Sequence, residues 1–390
     1  MLDTVATEAQ ELFDVTADQR AVGDLAREIA QREIAPHVAD WDRRHHFPRD
    51  LYTKLNAAGL MGLIVPEADG GAGADFLSYV LAIEEFARVD AGTAVTISVH
   101  SMIASALARL GTAEQKQRYL PQLAAGDVIA GFALTEPGAG SDAAALIASA
   151  TRDGDSYILR GRKQWCTNGS HAGVMMGMFR TGGPGSKGIS AFIFDTARPG
   201  IVVEKVTEKL GIHTSNTCDL AFDDVRVPAS ALLGAEGSGL TLALGALTAG
   251  RIGIAAQATG ILAACLDASV AFAREREAFG KPIAAFEGIS FKIAQMATDL
   301  DAARLLVYRA ASLYDAGRPF AVEASKAKLF ASSAARRHAS EAVQIHGGYG
   351  FTTEFPVERY YRDAKITEIY EGTSEIQQIV IARSLLGRFD

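Results

Sequence analysis

Apolar residues recur at helical spacing through the first third of the chain. Leu25 and Ile29 belong to one such stripe; Asp18 stands before it as an expected N-cap, and Pro36 breaks or kinks the helix. A second helix is expected over 51–58, with Gly59 as its stop. Residues 66–73 read as a loop, 76–89 returns to helical spacing, and another helix covers 101–110. Thr112 with Gln115 resembles a capping box for the next helix.

After residue 128 the pattern changes. Tyr157, Ile158 and Leu159 follow the tight-turn pair Asp153 and Gly154, and 189–194 and 220–227 read as strands, the latter closed by Pro228. Short strands separated by Gly and Pro predict a small β-barrel or sandwich, in which 181–185 is a loop and not a phosphate cradle. Ala-rich helical periodicity then returns over 239–274, 287–316 and 322–346, as expected for a four-helix bundle. The expected class is α+β, with an N-terminal α-helical domain (1–128), a middle β-domain (129–239) and a C-terminal helical bundle (240–390). No internal repeat is visible. No strand is followed by GxGxxG and a helix, so a nicotinamide-type Rossmann domain is not supported.

Composition narrows the classes. A chain of 390 residues calls for two or three domains, and 48% hydrophobic with 22% charged residues excludes wholesale disorder. A net charge of -8 gives no basic footprint for nucleic acid, so any polyanionic ligand must be met by a few local cations. Cys166, Cys218 and Cys265 lie far apart in sequence and are odd in number; they offer neither a metal-ligand spacing nor a disulfide framework, which fits a reducing cytoplasm. Residues 1–10 carry acids and no apolar core, unlike a signal peptide. The most apolar stretch, 240–273, is interrupted by Arg251, Gln257 and Asp267, so a buried helix is expected there, in a soluble protein without a membrane span.

Several segments could carry chemistry. Residues 132–142 are the densest polar loop: either a Gly-rich turn between domains, or a backbone that approaches flavin oxygens or a diphosphate closely. Trp165, Cys166, Thr167 and Asn168 follow an expected strand; the indole could cover a flavin ring, or simply be a core Trp at a strand end. Glu371 sits between an apolar pair and Gly372. In an apolar pocket its pKa would rise into the range of a useful base, whereas in a loop it would be a solvated acid, with Glu375 as competitor. Arg276 could clamp a diphosphate, or be a surface residue of a charged run. His45, His46 and His346 lack acidic or Cys partners, so no metal site is expected.

Taken together and in this order, these segments resemble the acyl-CoA dehydrogenase family over essentially the whole chain, in wording closest to short-chain and short-branched-chain members. The resemblance implies a homotetramer with FAD between the β-domain and the bundle, part of each site lent by a neighbouring subunit. The flavin loop falls on Phe132, Leu134, Thr135, Gly140 and Ser141, with Thr135 near the pyrimidine ring and Ser141 also touching CoA. The flavin-edge motif falls on Trp165, Cys166 and Thr167; the cross-subunit diphosphate arginine falls on Arg276, with Phe279 in its motif and Glu287 beside the diphosphate. Gln344, Gly347 and Gly348 carry the adenosine end, and Thr373, Ser374 and Glu375 the flavin contacts after the base. Glu371 matches the base, flanked at the substrate by Tyr370 and Gly372, and Arg251 matches a CoA-contacting arginine.

The activity so implied is α,β-dehydrogenation of an acyl-CoA to the trans-2-enoyl-CoA. Glu371 takes the α-proton while hydride goes to flavin N5, and the electrons pass on to an electron-transfer flavoprotein. Three departures from the family stand out. Thr248 replaces an Asp that would meet the pantetheine, Glu287 replaces a Gln near the diphosphate, and Gly250 occupies the place where some branched-chain members carry their base. Ala94 stands near the position of the arginine that glutaryl-CoA members use. The competing readings are an acyl-CoA oxidase or other flavin oxidase of the same fold, and a non-catalytic DNA-binding flavoprotein, which would need a more basic C-terminal third than this one.

Overall fold

The structure, a computed structural model, describes residues 15–387; the 1–10 stretch lies outside them. Helix α1 (Ala17–Ile29) is capped by Thr16 and not by Asp18. The Thr16 hydroxyl accepts from the Gln19 N–H at 3.2 Å, and the Gln19 side chain accepts from the Thr16 N–H at 2.9 Å. Asp18 lies in the first turn, where a negative charge favours the helix dipole. A π-turn (Ala30–Ile34) ends α1 ahead of Pro36. Helices α2 (Val38–Arg44) and α3 (Arg49–Ala57) follow, and Gly59, at φ +73°, makes the stop.

Helix α4 (Phe76–Val89) matches its expected span, but α5 (Ala91–Leu110) starts at Ala91 and not near Ser101. Asp90 caps it, accepting from the N–H groups of Gly92 and Thr93. Its first half is buried on every side, which erases the polar face that periodicity needs. Helix α6 (Ala113–Ala124) carries the expected Thr112–Gln115 box.

The middle of the chain forms one eight-stranded, mainly antiparallel sheet of order β6-β7-β3-β2-β4-β5-β8, with β1 pairing parallel to β4. The strands are β1 (Ile129–Ala133), β2 (Ser149–Asp153), β3 (Ser156–Thr167), β4 (Ala172–Arg180), β5 (Ile189–Asp195), β6 (Ile201–Val206), β7 (Thr217–Pro228) and β8 (Leu232–Leu233). Its core is aromatic: Tyr157, Phe179, Phe192, Phe194 and Phe222 are buried together. Cys166 and Cys218, distant in sequence, are partners on β3 and β7, both as buried free thiols.

The last third is helical: α7 (Gly239–Glu275), a short hairpin of β9 (Glu277–Ala278) and β10 (Lys281–Pro282), α8 (Glu287–Asp315), α9 (Ala321–His346), α10 (Val357–Ile366) and α11 (Ser374–Leu386). Helix α7 is the hub, packing on α4, α5, α8 and α9. Helices α5 and α7 are long and apolar enough to cross a membrane, but 89% and 72% of their apolar windows are buried within the protein. Polar locks join the layers. Arg304 of α8 pairs with Glu84 of α4 at 2.7 Å, and Thr214 donates to Asp90 at 2.7 Å.

Candidate active site

The chain leaves α10 through a series of turns and enters α11 at its N-cap, Thr373, whose hydroxyl accepts from the Ile376 N–H. Between them Glu371 and Gly372 both adopt left-handed backbone, at φ +52° and +95°. That conformation costs a non-glycine residue roughly 1–3 kcal/mol and persists only where its surroundings hold it. Here they do. Arg251 of α7 donates to the Glu371 carbonyl at 3.3 Å, and Lys328 of α9 and Gln377 of α11 each donate to the Gly372 carbonyl at 2.8 Å. Tyr370 is anchored through its hydroxyl to Gln257, which donates to the Ala91 carbonyl at 2.7 Å.

So held, the Glu371 side chain turns inward. Both carboxylate oxygens are buried, and neither has a hydrogen-bond partner. Burial pushes the carboxyl up to about 7, against the opposing pull of Lys328 and Arg251. Glu375 is the opposite case. It is exposed in the first turn of α11, with its carboxyl held below the usual range by the Thr373 hydroxyl. Of the two acids, Glu371 is the one whose carboxylate is buried without a partner.

The carboxylate stands against Gly250 of α7: a Cβ added there would lie 2.3 Å from Glu371 Oε2 and 3.1 Å from Met102 Sδ. Gly250, Met102, Tyr79 and Thr248 line a cleft of about 360 Å³ that also meets Phe76, Tyr314 and Phe320, so its walls are mostly apolar. The Thr248 hydroxyl donates to the Leu244 carbonyl at 2.6 Å within its own helix.

A second set of candidates lies on the sheet. The loop after β1 is built around buried Glu136, whose carboxylate accepts from the N–H groups of Ile147 and Ala148 at 2.7 and 3.0 Å and from Lys163 Nζ at 2.6 Å. Lys163 also donates to the Leu134 carbonyl, and Thr135 accepts from the Gln164 N–H at 2.8 Å. The loop is thus rigid from beneath and open above. Gly140 and Ser141 are exposed, and added Cβ atoms at Gly138 and Gly140 would meet nothing within 4 Å.

Trp165 is neither beyond the strand nor in the core. It sits near the end of β3, where the pairing with β7 is irregular, at φ +54° and 58% exposed. Cys166 points the other way, into the sheet core, so its thiol is not part of that surface. Thr167 is half-buried beside it. A bare indole next to a loop of accessible backbone suits a planar ring with polar edges.

The structure holds a third set apart. Arg276 ends α7 and lies 5.6 Å from the Tyr349 ring, near Gly347 and Gly348 at the end of α9. Arg276, Phe279, Glu287 and Gln344 are exposed. At 1.5 Å per helical residue, Arg276 is about 37 Å along α7 from Arg251, so one chain does not bring it to Glu371. His45 stacks on His213 and His346 on Phe272, and among the described residues no cluster suited to a metal occurs.

Sequence reasoning took Gly250 only as a place without a base; the structure makes it the space that the carboxylate fills. It missed Lys163, Lys328, Met102, Gln257 and Gln377. For Lys328 a signal exists, since it falls on the inward helical stripe of Ala324, Ala327, Ala331 and Ala335.

Models of the N-terminal, middle and C-terminal domains of acyl-CoA dehydrogenase match residues 16–127, 131–225 and 237–386. The chain is 48% identical to an acyl-CoA dehydrogenase of Bacillus subtilis, covering 96% of this chain and 99% of that one. It is 47% identical to the mouse mitochondrial short-chain specific acyl-CoA dehydrogenase, over 92% of this chain and 88% of the other. The structure of butyryl-CoA dehydrogenase from Megasphaera elsdenii superposes with a TM-score of 0.94 at 43% identity, covering 96% and 99% of the two chains. A strained, buried glutamate beside an apolar cleft, in a helix–sheet–helix frame matched along its length, has one reading: the chain belongs to the acyl-CoA dehydrogenase family.

Proposed function

We propose that this chain oxidises a short acyl-CoA to the trans-2-enoyl-CoA, with Glu371 removing the α-proton. The observation that carries the reading is the Glu371 carboxylate, buried, unpartnered and shifted to about 7, which makes it a base near neutral pH. Its own N–H donates to no group among the described residues and is free for a thioester carbonyl, where it would stabilise the enolate as charge develops. Burial of the carboxylate raises its basicity, and the cleft beside it is walled mostly by apolar side chains.

FAD supplies the hydride acceptor for the β-hydrogen. The residues present fit it: Thr135, Gly140 and Ser141 offer an open polar loop, Trp165 a bare ring face, and Thr167 a hydroxyl. Leu134 and Phe132 support that loop, and Thr373, Ser374 and Glu375 would meet the ring from the Glu371 side. Arg276, Phe279, Gln344, Gly347 and Gly348 would hold the diphosphate and adenosine of a neighbouring copy's FAD, which accounts for their distance from Glu371 and for the 95% exposure of Phe279. Glu287 stands at the start of α8, where the helix dipole steadies its charge. Arg251, Ser141, Thr248, Tyr370 and Gly372 would meet the CoA thioester.

A homotetramer, a cytoplasmic location, an electron-transfer flavoprotein as acceptor, and domain borders near 128 and 239 belong to the same reading. Specificity constants for a C4 and a C12 acyl-CoA test the chain length. The short substrate is expected to win; a C12 substrate with the higher value would overturn the short-chain assignment.

A further inference from the structure

We propose that Lys328 is the positioning residue of the reaction: from α9 it holds the Glu371–Gly372 turn in place and supplies the unpaired positive charge that keeps the Glu371 carboxylate ionised. The proposal rests on Glu371 being the base.

Lys328 lies wholly inside the protein, with no exposed surface. An ammonium so placed is costly unless something charged or strongly polar faces it. Two other lysines in the chain show the usual solutions. Lys163, equally buried, is paired with Glu136 at 2.6 Å, and Lys209, half-buried, reaches the Ser215 carbonyl. Lys328 makes its hydrogen bond to the Gly372 carbonyl at 2.8 Å and forms no ion pair among the described residues, so its charge is not cancelled in contact. It is spent across space, on Glu371.

The surroundings support that reading from every side. The charged or titratable groups facing the carboxylate are Arg251 from α7, Lys328 from α9 and Tyr79 from α4, with Tyr370 next to it in the turn. Lys328 is faced as well by Arg251, which opposes its charge, and by Glu368 from the same turn and Glu375 from α11, which favour it. Glu368 is already engaged by Arg336 and Lys365 at 2.8 Å each, and Glu375 is exposed. Gly250 and Met102 bring no charge. Burial lowers Lys328 to about 8 and raises Glu371 to about 7, and each partner opposes the other's shift. The two ionised forms therefore support one another. Removing the Lys328 charge leaves Arg251 as the remaining cation acting on the carboxylate, and the carboxyl must then rise further.

The backbone role is separable from the charge. Gln377 donates to the same Gly372 carbonyl at the same 2.8 Å but carries no charge. A residue that merely holds the turn should therefore behave like Gln377, whereas one that also sets basicity should move the pH dependence.

The test is the pH profile of anaerobic flavin reduction by butyryl-CoA in the FAD-loaded enzyme. It compares the parent with Lys328→Gln, Lys328→Arg and Gln377→Leu. Lys328→Gln is expected to move the acid limb up by about one pH unit, roughly a tenfold slower reduction at pH 6, with most of the rate recovered at high pH. Lys328→Arg should restore the limb, and Gln377→Leu should lower the plateau without moving it. An unmoved limb in Lys328→Gln, with or without a lower plateau, overturns the proposal. If Lys328→Gln does not retain FAD, Lys328→Arg decides: a limb at or below the parent's supports the proposal, and one above it overturns it. Glu371→Gln, run alongside, separates the two claims, since reduction at the parental rate there would overturn the base itself.

Discussion

Glu371 and Gly250 are a fitted pair. The carboxylate occupies the space that a side chain on α7 would take, at 2.3 Å from an added Cβ. Gly250→Ala must therefore push Glu371 aside, because the left-handed turn that carries it is fixed on several sides. Displacing a reacting group by about an ångström costs on the order of a hundredfold in rate. We expect Gly250→Ala to lose about that much kcat while retaining FAD, as measured by steady-state kinetics and the flavin spectrum; parental kcat would contradict the fit. The sequence showed the acid and the neighbouring glycine, and it excluded Gly250 as a base. That the two occupy adjoining space was not legible, because residues so distant in the chain meet only through the packing of α7 against the turn.

The elements show where local pattern suffices and where it fails. Helix α4 and the box at Thr112 follow from spacing and capping chemistry. The start of α5 does not, because a helix buried all round has no polar face to mark its period. Trp165 departs for a related reason: an irregularity in the β3–β7 pairing turns it outward, while Cys166 points into the core. The loop after β1 was legible as a Gly-rich polar run, but its rigidity comes from the buried Lys163–Glu136 pair beneath it. Removing one member of a buried pair leaves the other uncompensated, at about 3–5 kcal/mol. Glu136→Gln is expected to lower thermal stability by that order and to weaken FAD retention. An unchanged Tm with full flavin content would show that the pair does not support the loop.

Across the whole molecule, α7 joins the Glu371–Gly372 turn, the N-terminal helices and the remote Arg276 set, and Asp363 ties α10 to the middle domain through the Ile212 N–H. Burial pushes the Asp363 carboxyl up to about 7. The folded chain therefore keeps a proton that the unfolded chain releases. The stability from this group is fully present below the ordinary carboxylate pKa and is lost as pH rises through about 7. Each pH unit between the folded and unfolded values is worth about 1.4 kcal/mol. Asp363→Asn keeps an acceptor for Ile212 without the charge, so it should raise Tm relative to the parent more at pH 8 than at pH 5. An equal effect at both would contradict the buried, protonated acid. At the reacting centre, our proposal is Glu371 as the base of an acyl-CoA dehydrogenation. The most direct measurement is stopped-flow reduction of the bound flavin by butyryl-CoA, without oxygen, in the parent and in Glu371→Gln. The parent should bleach in a single turnover, and the variant should bind FAD and ligand yet bleach at least about a thousandfold more slowly. Bleaching of the variant at the parental rate would overturn Glu371 as the base, and a parent that no acyl-CoA bleaches would overturn the dehydrogenation itself.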